Sequence, residues 1–531
     1  MGFYLNPGSR KFQQSLNSEI YVDKTGLIGY TNSILNTRQQ FICISRPRRF
    51  GKSMGAEMLA AYYGRGEDSS AMFTPFEIAS HPSFTEHLNR YEVLFLNIQD
   101  FLSESKDMED MIELITLRLT HELTQTYPEA AFRDVASLPL VMEDVSFANN
   151  SSFIVIIDEW DCIFRVHPHA STAQNRYLDF LRLFLKDKGY IALAYMTGIL
   201  PIKKYGTHSA LNMFYEFSMI NQGNLARFTG FTQEEVQALC KRYNRDFSEM
   251  EAWYNGYELK DIAGKTYQIY SPRSVVQSLQ MGRIGGYWTS TETYEALKVY
   301  IDLNYEGLRD TVTALIAGQG QIIDSSRFVN DMTTFNTSDD VLTLLVHLGY
   351  LGYRQSVTSS PFEGEVFIPN REIQKEFLNA MEGGCWPEAL RAVAASRDLL
   401  KATWDKDAKA VARGIEEVHL ETAHITYNSE AALSYTLSLA YFAARDYYTV
   451  VRELPSGKGF ADLAFIPRQH HPEVPAMLIE LKWDKGADTA LTQIQEKRYP
   501  DALSEYQGTL LLVGISYDKE TRKHECVIQQ A

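Results

Sequence analysis

The first 225 residues contain four uninterrupted apolar runs, and this pattern restricts the fold more than any other feature of the chain. Helical patterns separate the runs, which are FICIS (41–45), VLFLNI (93–98), FIVIID (153–158) and YIALAYMTG (190–198). A strand that is apolar along its whole length, rather than at alternate positions, is covered on both faces. Such strands alternating with helices predict a parallel α/β sheet over residues 1–225.

The pattern of apolar and polar residues changes twice after residue 225. Residues 226–375 are predicted to form a helical domain, in which an apolar helix over 339–354 leads into a candidate hairpin over 359–369. Helix, turn and hairpin in this order fit a winged-helix module, and a plain helical packing domain fits the pattern equally well. Residues 376–427 read as a helical connector, and residues 428–531 return to an α/β pattern.

The composition excludes several classes of protein. With 531 residues, 45% of them hydrophobic and 22% charged, the chain is typical of globular proteins and long enough for about three domains. The net charge of −16 argues against a protein that coats nucleic acid through its overall field, but a local basic cleft is compatible with it. The cysteines show no C-x-x-C spacing, which disfavours a disulfide framework or a zinc site and suits a reducing compartment. Because neither a secretory signal nor an apolar stretch of about 18 residues is visible, we expect a cytoplasmic protein without a membrane span.

A phosphate-binding loop is predicted directly after the first apolar run. The sequence RPRRFGKS (46–53) ends in G-K-S, where a helical pattern begins. Backbone N–H groups at the start of a helix cradle phosphate oxygens, and Gly51 allows the backbone to approach them closely. Lys52 can reach the β- and γ-phosphates of ATP, and the hydroxyl of Ser53 can bind Mg²⁺.

The loop departs from the usual phosphate-loop pattern at its start. Arg46 stands where a glycine is usual, and the rest of the loop is filled by Pro47, Arg48, Arg49 and Phe50. The three arginines could bring positive charge to a triphosphate or to a nucleic acid, and the alternative is a solvated basic turn before a helix. The order of strand, loop and helix favours an ATP site over residues 46–53.

Two carboxylates follow the third apolar run, in IIDEWD (156–161). Asp158, at the end of the strand, would hold Mg²⁺, and Glu159 could polarise the water that attacks the γ-phosphate. Acidic residues also commonly follow buried strands, so the two carboxylates indicate a Mg²⁺ site only in combination with the phosphate loop upstream. Thr197 ends the fourth run and is either a sensor of the γ-phosphate or an ordinary threonine at a strand end.

Further motifs are distributed along the chain: YVDKT (21–25), SRPRRFGKS (45–53), IIDEWD (156–161), GFT (230–232), WYNGY (253–257) and IPNREIQKEF (368–377). Together they resemble the AAA-ATPase-like family, whose members are often fused to a C-terminal nuclease-type domain. The resemblance covers nearly the whole chain and implies a P-loop ATPase of the class of signal-transduction ATPases with numerous domains. It also implies that Asp23 and Lys24 lie near the nucleotide. In this class a neighbouring subunit can supply an arginine, so an oligomer is an option.

A cluster of carboxylates and a lysine is predicted near the C-terminus. GFADLAFIP contains Asp462, and AMLIELKW contains Glu480 and Lys482, which share one face of a strand because they are two residues apart. If the two strands pair, Asp462 and Glu480 can converge on one Mg²⁺ or Mn²⁺, and Lys482 can assist the water or stabilise the phosphorane. This spacing resembles the PD-(D/E)XK nuclease superfamily. There, a preceding helix often supplies another acid, here Glu430, and the next helix a glutamine, here Gln493.

These features together predict an ATPase coupled to a metal-dependent nuclease that acts on DNA or RNA, with Lys497 and Arg498 as further phosphate contacts. One alternative is a regulatory ATPase switch whose C-terminal domain only binds nucleic acid or a protein partner. Another is a structural role with neither site active. The acidic net charge slightly favours the alternatives, because a nuclease usually has a positive groove.

Overall fold

The computed structural model describes residues 2–202, 211–288, 297, 299–300, 307–328, 335–355, 360, 362–382, 387–421, 436–456, 459–468, 471–483, 486–496, 503, 509–521 and 523–531. The chain divides into two compact units, each built from two stretches of sequence. The first unit consists of Met1–Thr293 and Ile322–Lys375, and the second of Tyr294–Gln321 and Glu376–Ala531. The four segments distinguished above from the sequence patterns stay a prediction.

The first unit is built around a parallel sheet. Its strands are β1 (Phe41–Ser45), β2 (Glu92–Asn97), β3 (Phe153–Asp158), β4 (Ile191–Gly198) and β5 (Tyr215–Phe217). The order across the sheet is β2-β3-β4-β1-β5, and each of these pairings is parallel. Strands β1, β3 and β4 are buried along their whole length, as their apolar sequences predict. Because the strands are parallel, their carboxyl ends lie along one edge of the sheet.

Helices precede and separate these strands. They cover Arg10–Leu16, Gly26–Ile34, Lys52–Tyr63, Ser70–Phe73, Phe84–His87, Ile98–Glu104, Met108–Thr126, Leu138–Asn149, Cys162–Val166 and Ser171–Leu185, with 3₁₀ turns at Glu77–Ser80 and Gly223–Leu225. The helix Met108–Thr126 shows why they form: Asp107 caps it by accepting the backbone N–H of Asp110, and its apolar residues recur on one face, at Met111, Ile115 and Leu119, which are all buried.

Two smaller sheets follow in the chain; the first is antiparallel, and in the second the β10–β11 pairing is antiparallel. One has the order β6-β8-β7, from β6 (Phe231–Thr232), β7 (Tyr257–Lys260) and β8 (Thr266–Tyr270), with helices at Gln233–Tyr243, Phe247–Tyr254 and Pro272–Met281. Thr232 and Glu235 form a capping box at the start of the helix Gln233–Tyr243. The other has the order β10-β11-β9, from β9 (Gln321–Asp324), β10 (Gly352–Gln355) and β11 (Glu363–Phe367), with a 3₁₀ turn at Ser325–Arg327 and the helix Ser338–Leu348. The helix Arg371–Glu382 follows. The winged-helix interpretation of this region stays a prediction.

The second unit contains a mixed sheet whose strand order follows the chain. Its strands are β12 (Tyr448–Ser456), β13 (Gly459–Pro467), β14 (Met477–Trp483), β15 (Leu511–Asp518) and β16 (Lys523–Gln530). The β14–β15 pairing is parallel and the other pairings are antiparallel. The helices of this unit are Leu308–Ile316, Pro387–Trp404, Ala408–Glu421 and Ala487–Glu496, with a 3₁₀ turn at Phe442–Asp446.

Alternate residues of these strands face two different helical layers. Leu463, Ile479 and Ile515 pack in one apolar cluster with the helices Pro387–Trp404 and Ala408–Glu421. Ala464 and Leu478 pack in another with the helix Ala487–Glu496. The predicted fold class, a parallel α/β sheet near the N-terminus and a separate α/β domain at the C-terminus, is therefore confirmed. Among the helices within the described ranges, none is both long enough and apolar enough for a membrane span.

Candidate nucleotide and nuclease sites

The phosphate loop joins β1 to the helix Lys52–Tyr63 at the carboxyl edge of the parallel sheet. Gly51 precedes the helix with φ +84°, a left-handed conformation that favours glycine. Apart from its own chain neighbours, no atom of the described residues lies within 4 Å of the position that a Cβ of Gly51 would occupy. An anion could therefore reach the loop backbone and the first N–H groups of the helix, as the sequence predicts.

Lys52 lies buried at the start of the helix. Its Nζ donates to the backbone oxygens of Arg46, at 2.9 Å, and Pro47, at 3.0 Å. Burial lowers the pKa of this ammonium, and the nearby charges of Glu159 and Asp158 oppose that shift. Lys52 therefore holds the loop closed from inside and faces the carboxylates that follow β3.

The three loop arginines have different positions. Arg46 is buried, and its guanidinium donates to the backbone oxygens of Ser45, at 3.0 Å, and Phe217, at 2.9 Å, and to Thr229 Oγ1 at 3.2 Å. Burial lowers its pKa to about 10. Its side chain thus braces the loop in the interior, which differs from the predicted role as a phosphate ligand.

A cavity of about 710 Å³ lies beside the loop, a size that suits a nucleotide. The predicted residues that line it are Lys24, Arg48, Arg49, Phe50, Gly51, Lys52, Ser53 and Glu159. Its apolar wall includes Ile20, Val22, Phe228, Phe231 and Val276.

Sequence reasoning missed one cationic residue of this cavity. Arg273 lines it from the first turn of the helix Pro272–Met281, and its buried Nε has no hydrogen-bond partner in the described part of the chain. Arg273 is far from the phosphate loop in sequence, and its one local signal is the proline at the helix start, which marks a helix rather than a ligand.

The carboxylates after β3 are held by donors from their own unit. Asp158 Oδ1 accepts the hydroxyl of Thr197 and, at 3.1 Å, the backbone N–H of Glu159. Its Oδ2 makes no hydrogen bond to any described residue. Glu159 forms an ion pair with Arg165. Thr197 thus orients Asp158, and its contact is with this carboxylate at the strand end.

Asp23 and Lys24 have mainly structural partners. Asp23 accepts the backbone N–H groups of Thr25 and Glu77, both at 2.8 Å, and it is not among the residues around the cavity. Lys24 lines the cavity, and its Nζ forms an ion pair with Glu235 at 2.7 Å. Burial lowers the pKa of Lys24, and Glu235 opposes that shift.

The second candidate site lies where β13 and β14 separate. The antiparallel register pairs Leu463 with Ile479, so the next residues in line are Asp462 and Glu480. Asp462 Oδ2 accepts the backbone N–H of Leu481 at 2.8 Å. The strand pairing on which the predicted convergence of Asp462 and Glu480 depended is therefore present.

Glu480 is the most perturbed group of this site. It is 1% exposed, and its Oε1 accepts both Lys482 Nζ, at 3.0 Å, and Gln493 Nε2. Its buried Oε2 has no hydrogen-bond partner among the residues that the structure describes. Burial, and secondarily the charge of Asp462, raise the pKa of Glu480 to about 7. An unsatisfied carboxylate oxygen beside a second carboxylate fits a divalent cation.

Three predicted residues, Glu430, Lys497 and Arg498, lie outside the described residues. Gln493 projects from the helix Ala487–Glu496 onto Glu480, as the sequence predicts. Within the described ranges, no group of three or more His, Cys, Asp or Glu residues is arranged to hold a metal ion. A cation here would therefore take Asp462 and Glu480 together with water and substrate oxygens, the ligand set that Mg²⁺ favours.

Comparisons with known proteins find two family matches along the chain. Residues 8–208 match the AAA-ATPase-like family, described as predicted AAA-ATPase. Residues 432–526 match the PD-(D/E)XK nuclease superfamily. The chain combines an AAA-ATPase-like domain with a PD-(D/E)XK nuclease superfamily domain. The phosphate loop lies within the first match, and Asp462, Glu480 and Lys482 lie within the second.

The chain is also similar over most of its length to a relative from Azotobacter chroococcum mcd 1, the "uncharacterized protein in vnfD 5'region". It is 22% identical over 520 residues, which cover 94% of this chain and 93% of the relative. The Aeropyrum pernix ORC2 protein in ADPNP–ADP complexes is similar at 12% identity, with 71% of this chain and 98% of that chain covered and a TM-score of 0.32. The Aeropyrum pernix ORC1 protein in complex with DNA gives 9% identity, 72% and 98% coverage and a TM-score of 0.25.

Proposed function

We propose that the AAA-ATPase-like domain binds ATP with Mg²⁺ and hydrolyses it. The observation that carries this proposal is the cavity in which Lys52 and Glu159 lie together beside an open Gly51 backbone. Lys52 would exchange the oxygens of Arg46 and Pro47 for phosphate oxygens, and Glu159 would orient the attacking water. Ser53 and Asp158 would hold Mg²⁺, since Asp158 Oδ2 makes no hydrogen bond to a described residue.

Positive charge from three further residues would bind the phosphates. Arg48 and Arg49 line the cavity on the loop side and Arg273 on the side of the helix Pro272–Met281. Charge-assisted hydrogen bonds from guanidinium groups suit phosphate oxygens, and the unpartnered Nε of Arg273 is a donor that such an oxygen would satisfy. Arg46, by contrast, would contribute through its backbone oxygen and its bracing of the loop.

The C-terminal domain is, in this proposal, a metal-dependent nuclease that cleaves phosphodiester bonds of nucleic acids. The unpartnered Oε2 of Glu480 beside Asp462 supports it, because Lys482 balances one of the two carboxylates and a metal cation would balance the other. Asp462 and Glu480 would hold Mg²⁺ or Mn²⁺, which would polarise the scissile phosphate and acidify a water. Lys482, held by Glu480, would stabilise the charge that develops on the phosphate oxygens, and Gln493 would fix Glu480.

The test is incubation of the purified full chain with plasmid DNA, linear DNA and RNA. Each substrate is treated with Mg²⁺ or Mn²⁺, with and without ATP, beside the Asp462→Ala variant. Metal-dependent cleavage by the wild type that Asp462→Ala abolishes would support the proposal. Equal cleavage by both proteins would contradict it, as would no cleavage of any substrate under every condition.

A regulatory switch is a second candidate function, favoured by the packing around the phosphate loop. Arg49 Nη1 donates to the backbone oxygen of Tyr287 at 3.0 Å, and a Cβ on Gly349 would lie 2.7 Å from the Cβ of Pro47. A nucleotide that moves the loop would thus press directly on the end of the helix Ser338–Leu348. If the C-terminal domain only binds a partner, ATP should alter that binding and Lys52→Ala should remove the effect.

A further inference from the structure

Glu159 has an unusual backbone conformation for the residue that would orient water. Its φ is +54°, in the left-handed region that a residue with a side chain seldom adopts. Such conformations persist only where surrounding contacts enforce them, and they are frequent at functional sites. The structure shows which contact holds the side chain in place.

Arg165 holds Glu159 from the helix Cys162–Val166. Its Nη2 donates to Glu159 Oε2, and its Nε donates to Asp161 Oδ2 at 3.2 Å. The side chain of Arg165 is 9% exposed and that of Asp161 is fully buried, so water competes little with these contacts. One guanidinium therefore links two carboxylates of the IIDEWD motif.

Asp161 in turn fixes Arg165 to the sheet. Its Oδ2 also accepts the backbone N–H groups of Ile199, at 3.1 Å, and Leu200, at 2.8 Å, which directly follow β4. The result is a continuous chain of contacts from the end of β4 through Asp161 and Arg165 to Glu159. It is anchored in buried backbone that directly follows β4.

The contact leaves one oxygen of Glu159 available. Arg165 takes Oε2, whereas Oε1 makes no hydrogen bond to a described residue, and Glu159 lines the cavity beside Lys52. The charges nearest to this carboxylate also include Arg48, which lines the same cavity. A carboxylate anchored through one oxygen can present the other to a water in a fixed direction, and orientation is a large part of the rate of phosphoryl transfer.

We propose that Arg165 is a positioning residue for ATP hydrolysis, which holds Glu159 in place through the chain from β4 and Asp161. The inference rests on the proposed ATPase function. Because Arg165 acts through Glu159 and not on the nucleotide, it affects turnover and leaves nucleotide affinity unchanged. The planar guanidinium reaches both carboxylates at once, and a lysine at this position provides the charge with only one point of contact.

The test compares ATP hydrolysis and binding of a non-hydrolysable ATP analogue in the full chain. Arg165→Met is expected to lower kcat about 10²-fold, the loss typical of a displaced reacting group, with the analogue Kd within about threefold of wild type. Arg165→Lys should recover part of the loss, and it serves as the folded variant if Arg165→Met proves unstable. Arg182→Met, which removes an exposed arginine paired with Asp179, is the matched control and should match the wild type.

A double-mutant cycle with Glu159→Gln separates positioning from a general structural effect. If Arg165 acts through Glu159, Arg165→Met should add almost no further loss in the Glu159→Gln background. A full additional loss there, an unchanged or increased kcat in both Arg165 variants, or an equal fall in analogue affinity would overturn the inference. A wild type that binds the analogue but hydrolyses no ATP would instead refute the proposed ATPase, and this inference with it.

Discussion

The phosphate-loop site and the C-terminal site balance the charges of their acidic residues differently. In the first, Asp158 accepts a hydrogen bond from the hydroxyl of Thr197, and Glu159 forms an ion pair with Arg165. In the second, Lys482 and Gln493 both donate to the same oxygen of Glu480, and its other oxygen has no partner among the described residues. The pKa of Glu480 rises to about 7 as a result of burial and the neighbouring Asp462.

This difference indicates what each site requires. In the AAA-ATPase-like domain Glu159 is paired with Arg165, and the cavity also presents Lys52, Arg48 and Arg273 to an incoming ligand, so it is arranged for an anion. In the C-terminal site Lys482 is paired with Glu480, and the neighbouring Asp462 adds a second negative charge, so the site is arranged for a further cation. A metal ion should therefore bind the C-terminal site without a nucleotide, and the phosphate-loop site only together with one.

The largest expected effect is loss of nucleic-acid cleavage when one carboxylate of the Asp462–Glu480 pair is removed. Asp462→Ala should lower the cleavage rate about 10³-fold or more, because the remaining carboxylate cannot hold the cation that the reaction needs. Initial rates with Mg²⁺ measure this. Asp488→Ala, at an exposed position on the helix Ala487–Glu496, is the control and should cleave like the wild type. Cleavage at the wild-type rate in Asp462→Ala would contradict the role of Asp462 in holding the cation.

The next effect concerns the anion site. Lys52→Ala should weaken binding of ATP and lower its hydrolysis by about 10²–10³-fold, since the ammonium that contacts the phosphates is lost. Binding of a fluorescent ATP analogue and phosphate release measure the two effects. The exposed Lys106→Ala is the control. Unchanged hydrolysis in Lys52→Ala would place the phosphates elsewhere.

The raised pKa of Glu480 predicts a pH dependence of stability in metal-free protein. Between its ordinary pKa of 4.5 and about 7 the folded state binds more protons than the unfolded state. The free energy of unfolding should therefore fall as pH rises through this window, by about 3 kcal/mol, and level off above it. Denaturant unfolding with EDTA at pH 5 and pH 8 measures the change. Glu480→Gln should lack this contribution, and parallel behaviour of the two proteins would contradict it.

A buried histidine pair makes the comparison with Glu480→Gln necessary. Burial lowers the pKa of both His419 and His524 to about 4, and their rings lie 5.0 Å apart. As the pH falls, these histidines bind protons in the unfolded state before they do so in the folded state. They therefore lower the free energy of unfolding as the pH falls from about 6.5 towards 4. Their effect opposes that of Glu480 in the overlapping window, and it cancels in the difference between the wild type and Glu480→Gln.

The smallest effect concerns Thr197, whose hydroxyl donates a hydrogen bond to Asp158. Thr197→Val should lower kcat for ATP about tenfold, because Asp158 loses a hydrogen bond from a buried hydroxyl, and should alter the Kd for ATP little. Thr197→Ser keeps the hydroxyl and should remain near the wild type. A steady-state comparison of both variants checks this. A loss in Thr197→Ser with none in Thr197→Val would show that the methyl packing of Thr197 matters rather than its hydroxyl, because valine keeps the methyl and serine removes it.

Much of the scaffold is predictable because local patterns determine it. The fully apolar runs predicted β1 to β4, and the short strand β5 was missed because its three residues provide no periodicity. The pairing of β13 with β14 follows from their order in the chain, so the approach of Asp462 to Glu480 could be anticipated from the spacing of the two strands.

The parts that sequence reasoning missed depend on contacts between distant segments. Arg46 reads as one of three equivalent loop arginines, yet tertiary packing turns it inward onto Phe217 and Thr229. Arg273 reaches the cavity from a helix far along the chain. Residues 322–375 also rejoin the first unit after a stretch that belongs to the second, and no local pattern records that return.

Binding of Mn²⁺, followed by electron paramagnetic resonance, tests the central contrast most directly. The full chain without nucleotide should bind about one equivalent, which Asp462→Asn with Glu480→Gln removes. Adding a non-hydrolysable ATP analogue should create a second site, which Lys52→Ala removes and the C-terminal double variant retains. Nucleotide-free binding that persists without Asp462 and Glu480, or a second site that forms without the analogue, would contradict the account.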